Sequence, residues 1–375
     1  MSAIVFIIIL SFLVIIHELG HFLTAKWAKV KADEFGIGYP PKALKLFRWK
    51  GTDFTVNWIP FGGFVRMQGE ESIEEETDEK KGKKLSGQFY QASVFQKLVI
   101  ILAGATVNFI FGVIAFTIVF SKMGIPEMIT EPRIGAVEEN TPAYEAGIPS
   151  NVNILAVKYQ DQEFAVNTPE DLINKVYEHR GETITLITTG ICEQKTCEQI
   201  KNEYPVYVRT QEETPEGEGA MGVAFDQVVF VFYPALEMPV RSAAYGIEQA
   251  FTLGWQIIEA FSGIITGIFT RGSLPTDVAG PIGIVHQAQS IGIFEEGWLT
   301  VLSFAGMLSI NLAVMNVLPF PPLDGGRAVF IILEALFTKK RTKKLEYILN
   351  YGGYILLLGL IVVITIKDVM RIFYG

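Results

Sequence analysis

Four stretches of this chain carry no Asp, Glu, Lys or Arg: residues 1–17, 98–121, 298–323 and 348–366. A helix needs about 20 apolar residues to cross the hydrocarbon of a bilayer, and its backbone polar groups must be satisfied within the helix. Each stretch therefore reads as a span, and the chain as a polytopic α-helical membrane protein with four transmembrane helices. The mean hydropathy of +0.33 agrees with that class. The first stretch resembles a signal peptide, but it has no basic n-region and no small-residue cleavage site, so it is read as retained.

The lipid bilayer is thus the first partner. A net charge of −9 argues against nucleic acid, because phosphate binding needs a basic face. Two cysteines, Cys192 and Cys197, exclude a disulfide scaffold and a multi-cysteine zinc module. Basic residues gather in residues 26–96 and in Lys339-Lys340-Arg341-Thr342-Lys343-Lys344, which places both on the cytoplasmic side. The long segment between the second and third spans, and both termini, then lie outside. Residues 249–270 carry Glu259, with apolar residues at helical spacing from Ala250 through Ile257, Phe261 and Ile264. They read as an amphipathic helix on the membrane surface rather than a fifth span.

The first span ends in His17-Glu18-Leu19-Gly20-His21. Histidines four apart share one face of a helix, so both rings can reach one Zn²⁺, and the intervening carboxylate can act as general base on water. Three ionisable groups at a membrane helix end are costly unless they have a function. A third protein ligand is needed. Thr24 and Trp27 stand where a metzincin has Gly and His. Glu34 is the nearest downstream carboxylate, but it lies among solvated charges. Asp324 is the stronger candidate: it closes the third uncharged run, at the same cytoplasmic depth as the two histidines. A di-iron membrane oxygenase would need roughly eight histidines, counting two metals at the several ligands each requires; this chain has four.

The HELGH of the first span and Asn311-Leu312-Ala313-Val314-Met315-Asn316-Val317-Leu318-Pro319-Phe320-Pro321-Pro322-Leu323-Asp324-Gly325-Gly326 of the third resemble the site-2 protease family of intramembrane zinc metalloproteases. The bacterial regulator-of-sigma-E type is the branch most resembled. Phe35-Gly36-Ile37-Gly38-Tyr39, the run from Gly51 to Met67, and Ala279-Gly280-Pro281-Ile282-Gly283-Ile284 match further pieces in order. The resemblance implies Zn²⁺ held by His17, His21 and Asp324, with Glu18 as the catalytic base. It also implies that Asn316 contacts the substrate backbone or oxyanion, with Asn311 as a second family asparagine. Helix–helix hydrogen bonding is the alternative role for both. The implied substrates are single-pass membrane proteins already trimmed by another protease, such as anti-sigma factors, and remnant signal peptides. The resemblance thus implies regulated intramembrane proteolysis at a bacterial plasma membrane.

Phe54, Val56 and Trp58 alternate with polar residues, and Pro60 with Gly62-Gly63 turns the chain into Phe64-Val65-Arg66-Met67. The run reads as a β-hairpin whose edge, around Gly62, Gly63 and Phe64, can pair with an unwound substrate. The family resemblance implies that this element is membrane-associated, and an ordinary cytoplasmic hairpin is the alternative. Outside, Ile134-Gly135-Ala136-Val137, Thr141 to Ile148 and Pro169-Glu170-Asp171-Leu172-Ile173 resemble one bacterial PDZ domain over residues 127–210. The usual Gly-Asp turn after Gly147 here reads Ser150-Asn151-Val152-Asn153, which favours a size filter over peptide-tail binding. Cys192 and Cys197 form a disulfide in an oxidising compartment or stand as free thiols.

The expected organisation is the first span with HExxH over 1–25, a cytoplasmic β-element and linker over 26–96, and the second span over 97–121. The PDZ domain (127–210) and an outer segment (211–297) follow, with residues 215–219 as a linker. The third span with the Leu323-Asp324-Gly325 motif covers 298–337, then a basic turn 338–347 and a fourth span 348–367. A non-catalytic PDZ receptor is the rival reading. The complete set of His17, Glu18, His21 and Asp324 argues against it, since a receptor has no use for Glu18.

Overall fold

Helix persists through the first uncharged run and gives way to strand where aromatic, β-branched and charged residues begin to mix. In chain order, α1 (Ser2–Trp27) leads to β1 (Ala32–Trp49), β2 (Thr52–Met67) and α2 (Val94–Met123). Then come β3 (Ile125–Val137), α3 (Pro142–Glu145), β4 (Val152–Tyr159), β5 (Gln162–Ala165) and α4 (Pro169–Glu178). β6 (Thr183–Thr188), β7 (Cys192–Glu193), β8 (Thr196–Cys197), β9 (Asn202–Tyr207) and β10 (Val223–Val231) follow. The chain ends in α5 (Met238–Arg271), α6 (Pro281–Ser290), α7 (Trp298–Val317), α8 (Asp324–Leu336) and α9 (Lys339–Tyr374). This computed structural model describes residues 2–70, 87–271, 280–337 and 339–374. The expected linker 70–84 lies outside the described residues apart from Glu70. The chain divides into two units, Met1–Val119 with Ser242–Gly375, and Phe120–Arg241.

In the first unit, α1, α2 and α7 are long and apolar enough to cross a membrane. Phe6, Ile9 and Leu13 of α1 pack with Phe304, Ala305 and Leu308 of α7 and Ala288 of α6. Helix α5 lies against α2, with Gly246 beside Thr117, and against α7, with Gly254 beside Val314. It begins at Met238, well before the expected residue 249. The residues that precede 249 lack the strong apolar spacing, but packing on α2 keeps them helical. Residues 339–347, expected as a turn, form the first turns of α9. Lys, Arg, Leu and Glu are good helix formers, and a run of them continues a helix unless a breaker intervenes. Asp368 of α9 is buried and accepts from the backbone N–H groups of Gly280 (3.2 Å) and Gly283 (2.8 Å), capping α6.

Strands β1 and β2 each pair twice. Residues 35–37 lie between 63–65 on one side and 54–56 on the other, while residues 42–49 add to the far side of 52–57. The two legs expected to form a hairpin, 54–58 and 64–67, therefore do not pair with each other; the segment Glu34–Ile37 separates them. Its glycines and buried acid hide it from β-propensity, but its backbone is the partner both legs use. Phe22 of α1 anchors the sheet through Phe35 (5.6 Å between ring centroids) and Phe54 (5.5 Å).

The second unit is a sheet in the order β10-β3-β4-β6-β9, with β5 paired to β4. Its core includes Ile134, Val152, Leu172, Ile184, Leu186 and Val206. Thr168 caps α4, accepting from Asp171 N–H at 3.2 Å. Residues 215–219, expected as a linker beyond the domain, are an internal connection. Arg209 donates to Glu218 at 2.7 Å, and β10 returns to pair along β3. The domain thus extends past residue 210, because β3 would otherwise leave an open edge.

Candidate metal centre

Helix α1 brings His17 and His21 onto one face, with ring centroids 4.7 Å apart. That face meets α2 at a close crossing. A Cβ on Gly20 would stand 2.6 Å from the Ala103 carbonyl oxygen, and a Cβ on Gly104 would stand 2.6 Å from His17 Cε1 and 2.7 Å from His17 Nε2. Both glycines are required by this contact, since a methyl group at either would push the rings or the helices apart.

The third element is the break after α7. Pro319, Pro321 and Pro322 cannot continue a helix, and α8 restarts at Asp324. Asp324 Oδ2 lies 3.0 Å from His17 Nε2 and 3.3 Å from His21 Nε2, and the two Nε2 atoms are 3.1 Å apart. These three residues form a group whose ligand atoms all lie within 4.8 Å of one another. A tetrahedral zinc with bonds of about 2.0–2.1 Å has ligand–ligand edges of about 3.3–3.4 Å. The observed separations are close to that edge, and two imidazoles with one carboxylate leave a fourth position open.

The outer contacts suit such an ion. His21 Nδ1–H donates to the Ile100 carbonyl at 2.8 Å, which leaves Nε2 with its lone pair directed to the centre. The Asn108 amide lies 3.5 Å from His17 Nδ1, and its Oδ1 is buried without a partner. His17 bound through Nε2 carries a proton on Nδ1; an Asn108 amide turned by 180° sets Oδ1 against that proton and satisfies both. Ser309 of α7 donates to the Asn108 carbonyl at 2.8 Å, so this asparagine links α1, α2 and α7. Gly104 and Asn108 were not singled out from the sequence. Asn108 had a signal: an amide inside an uncharged run, the same cue that marks Asn316.

Glu18 shares α1 with the two histidines and is half-buried. Gly63 on the edge of the sheet faces it: a Cβ there would stand 3.7 Å from Glu18 Cγ and 2.9 Å from the Gly36 carbonyl. Gly62 adopts φ +69°, a left-handed conformation that favours glycine, with Tyr39 and Val14 beside it. Phe64 follows on the same edge, its ring over Gly36 and Arg66 5.7 Å from the ring centroid. Asn311 is exposed on α7, and Asn316 is half-buried two residues before the Pro-rich break.

Glu34 is no ligand. It is buried within the sheet, where it accepts from Thr55 (2.8 Å) and pairs with Lys42 (3.0 Å) and Arg66 (3.4 Å). Burial raises its carboxyl, but Lys42, Thr55 and Arg66 more than offset this and hold it below the usual value. His179 pairs with Glu182 at 3.0 Å in the second unit, and His286 is exposed on α6. Cys192 and Cys197 are joined in a disulfide. Also in the second unit, a groove of about 240 Å³ is lined by Leu172, Val176 and Arg180 with Met221, Val223 and Phe225.

A family model described as Peptidase family M50 matches residues 5–360. A Clostridium acetobutylicum protein whose name carries the words zinc metalloprotease is 30% identical over 97% of this chain and 96% of its own. Proteins named zinc metalloprotease RasP are similar too. That of Geobacillus kaustophilus is 28% identical over 99% of this chain and 98% of its own, and that of Bacillus licheniformis 26% over 99% of each.

Proposed function

The chain belongs to peptidase family M50, and on that premise we propose that it cuts single-pass membrane proteins inside or at the edge of the bilayer, after another protease has trimmed them outside. It is a zinc metalloprotease. The observation that carries the reading is the convergence of His17 and His21, on the apolar helix that also carries Glu18, with Asp324 at the start of α8.

Zn²⁺ held by these residues supplies Lewis acidity toward water and the scissile carbonyl. The protein's own groups do the rest. Glu18 takes the proton of the attacking water and returns it to the leaving amine. Asn108 and the Ile100 carbonyl hold the two imidazoles in the tautomer that presents Nε2. A helical substrate hides its carbonyls in its own hydrogen bonds, so it must unwind first. The open edge at Gly63–Met67 offers it a strand to pair with, next to Glu18. Asn316 is suited to receive the substrate carbonyl.

The residues 348–367 of α9 make a fourth crossing in this proposal, which puts both termini and the second unit outside a bacterial plasma membrane. The second unit acts as a PDZ-type size filter against substrates with large outer domains. The anti-sigma factors and remnant signal peptides are substrates of the right class, and the pathway is regulated intramembrane proteolysis.

The test is cleavage by the purified protein in vesicles of two forms of one single-pass substrate, with its outer domain intact and removed. Cleavage of the short form alone, abolished by a zinc chelator and restored by Zn²⁺, supports the proposal. Equal cleavage of both forms removes the size filter. Failure on a panel of short substrates with zinc fully bound favours a non-catalytic receptor.

A further inference from the structure

Helix α8 carries a second ionic group three residues beyond Asp324. Arg327 Nη1 lies 2.7 Å from Glu70 Oε1, with the two side chains 28% and 15% exposed. Glu70 stands three residues past the end of β2, and its Oε2 accepts from the Met67 N–H at 3.4 Å. Met67 is itself buried in a cluster with Ala328 and Ile331 of α8. The end of β2 is thus joined to α8 by an ion pair and by apolar packing. The same strand runs back to Gly63, four residues and about 13 Å away in extended chain, where it lies against Glu18.

We propose that Glu70 and Arg327 are a positioning pair. They fix the register of the edge strand relative to the metal centre, and so decide which peptide bond of a paired substrate faces Glu18. The inference rests on the protease reading above. A strand laid on an open edge gains the same backbone hydrogen bonds in registers two residues apart, so pairing alone does not select one bond. Selection needs the template itself held still against the catalytic groups. The apolar cluster that Met67 shares with Ala328 and Ile331 has no preferred direction; a charge-assisted pair from a guanidinium has directional geometry and resists sliding.

The experiment uses the full-length protein in detergent with one single-pass substrate, product masses read by mass spectrometry and zinc content measured on every variant. The wild type is expected to cut one dominant bond. Arg327→Gln and Glu70→Gln are each expected to keep zinc, spread the cuts over neighbouring bonds and lose ~10-fold or more in kcat/KM, as misplacement of a reacting group does. The double variant should be no worse than either single one, since both remove one interaction. Arg327→Lys, which keeps the charge but loses the planar fork, should cut with a spread between those of the wild type and Arg327→Gln. Single variants that cut the wild-type bond at the wild-type rate overturn the proposal, as does additive loss in the double variant. A wild type that cuts nothing while holding zinc overturns the protease reading, and the inference with it.

Discussion

The Asp324 carboxylate lies 3.0 Å from His17 Nε2, across 307 positions of the chain. Two separate helix features create that contact. Helix α1 carries the histidines unbroken to its last turns, and α7 stops at Val317 so that α8 can start with Asp324. Non-helical backbone within a membrane is tolerated where it is buried in protein or lines a wet cavity.

Glu18→Gln removes the proposed base and keeps the helix. Peptide cleavage is expected to fall by about 10²–10⁴-fold, with zinc content unchanged. A variant that cleaves at the wild-type rate would move the base to another residue.

Gly104→Ala puts a methyl group 2.6 Å from a His17 ring carbon. Zinc affinity is expected to fall, by about 10-fold for a misplaced ligand, with a stability cost of about 1–3 kcal/mol from overpacking. Competition with a chromophoric chelator measures the first and thermal melting in detergent the second. Unchanged affinity would show that the helices separate at no cost to the ligands.

Asn108→Leu replaces the group facing His17 Nδ1 by an apolar one of similar size. The His17 proton then lacks an acceptor, and zinc affinity should drop about 10–100-fold. Asn108→Asp retains an acceptor oxygen and should recover much of it. Equal affinity in both variants argues that His17 is oriented by packing alone.

Glu34 tests the sheet. Its carboxyl is held below the usual value, so its contribution is complete above the unfolded value of about 4.3 and is lost as pH falls through the folded one. Glu34→Gln should melt lower at neutral pH, by about 1 kcal/mol given the exposed Lys42 and Arg66 partners. It should also show a flatter acid limb than the wild type below about pH 4. Parallel acid limbs would assign the acid sensitivity to other carboxylates.

Much of this was legible in the residues. The uncharged runs 1–17, 98–121 and 298–323 lie in α1, α2 and across α7 and its break, because a charge-free apolar segment has few conformations other than helix in which its backbone is satisfied. That the His17 and His21 rings share one face of α1 was legible because a spacing of four is local geometry. The hairpin was misread, since the strand between its legs, Glu34-Phe35-Gly36-Ile37, has no alternation to announce it. The extent of the second unit was misread for a related reason: β10 is recognisable only through its pairing with β3.

Local chemistry, then, was written in the chain: helices where charge is absent, a histidine pair one helical turn apart, and a proline break ahead of a carboxylate. What only the tertiary structure decided is which distant groups meet. Gly104 admits the histidine rings, Asn108 turns to one of them, Gly63 brings an open strand edge to Glu18, and Arg327 finds Glu70. These depend on helix crossings and strand order, which arise from packing between segments far apart in sequence and leave no periodicity in any one of them.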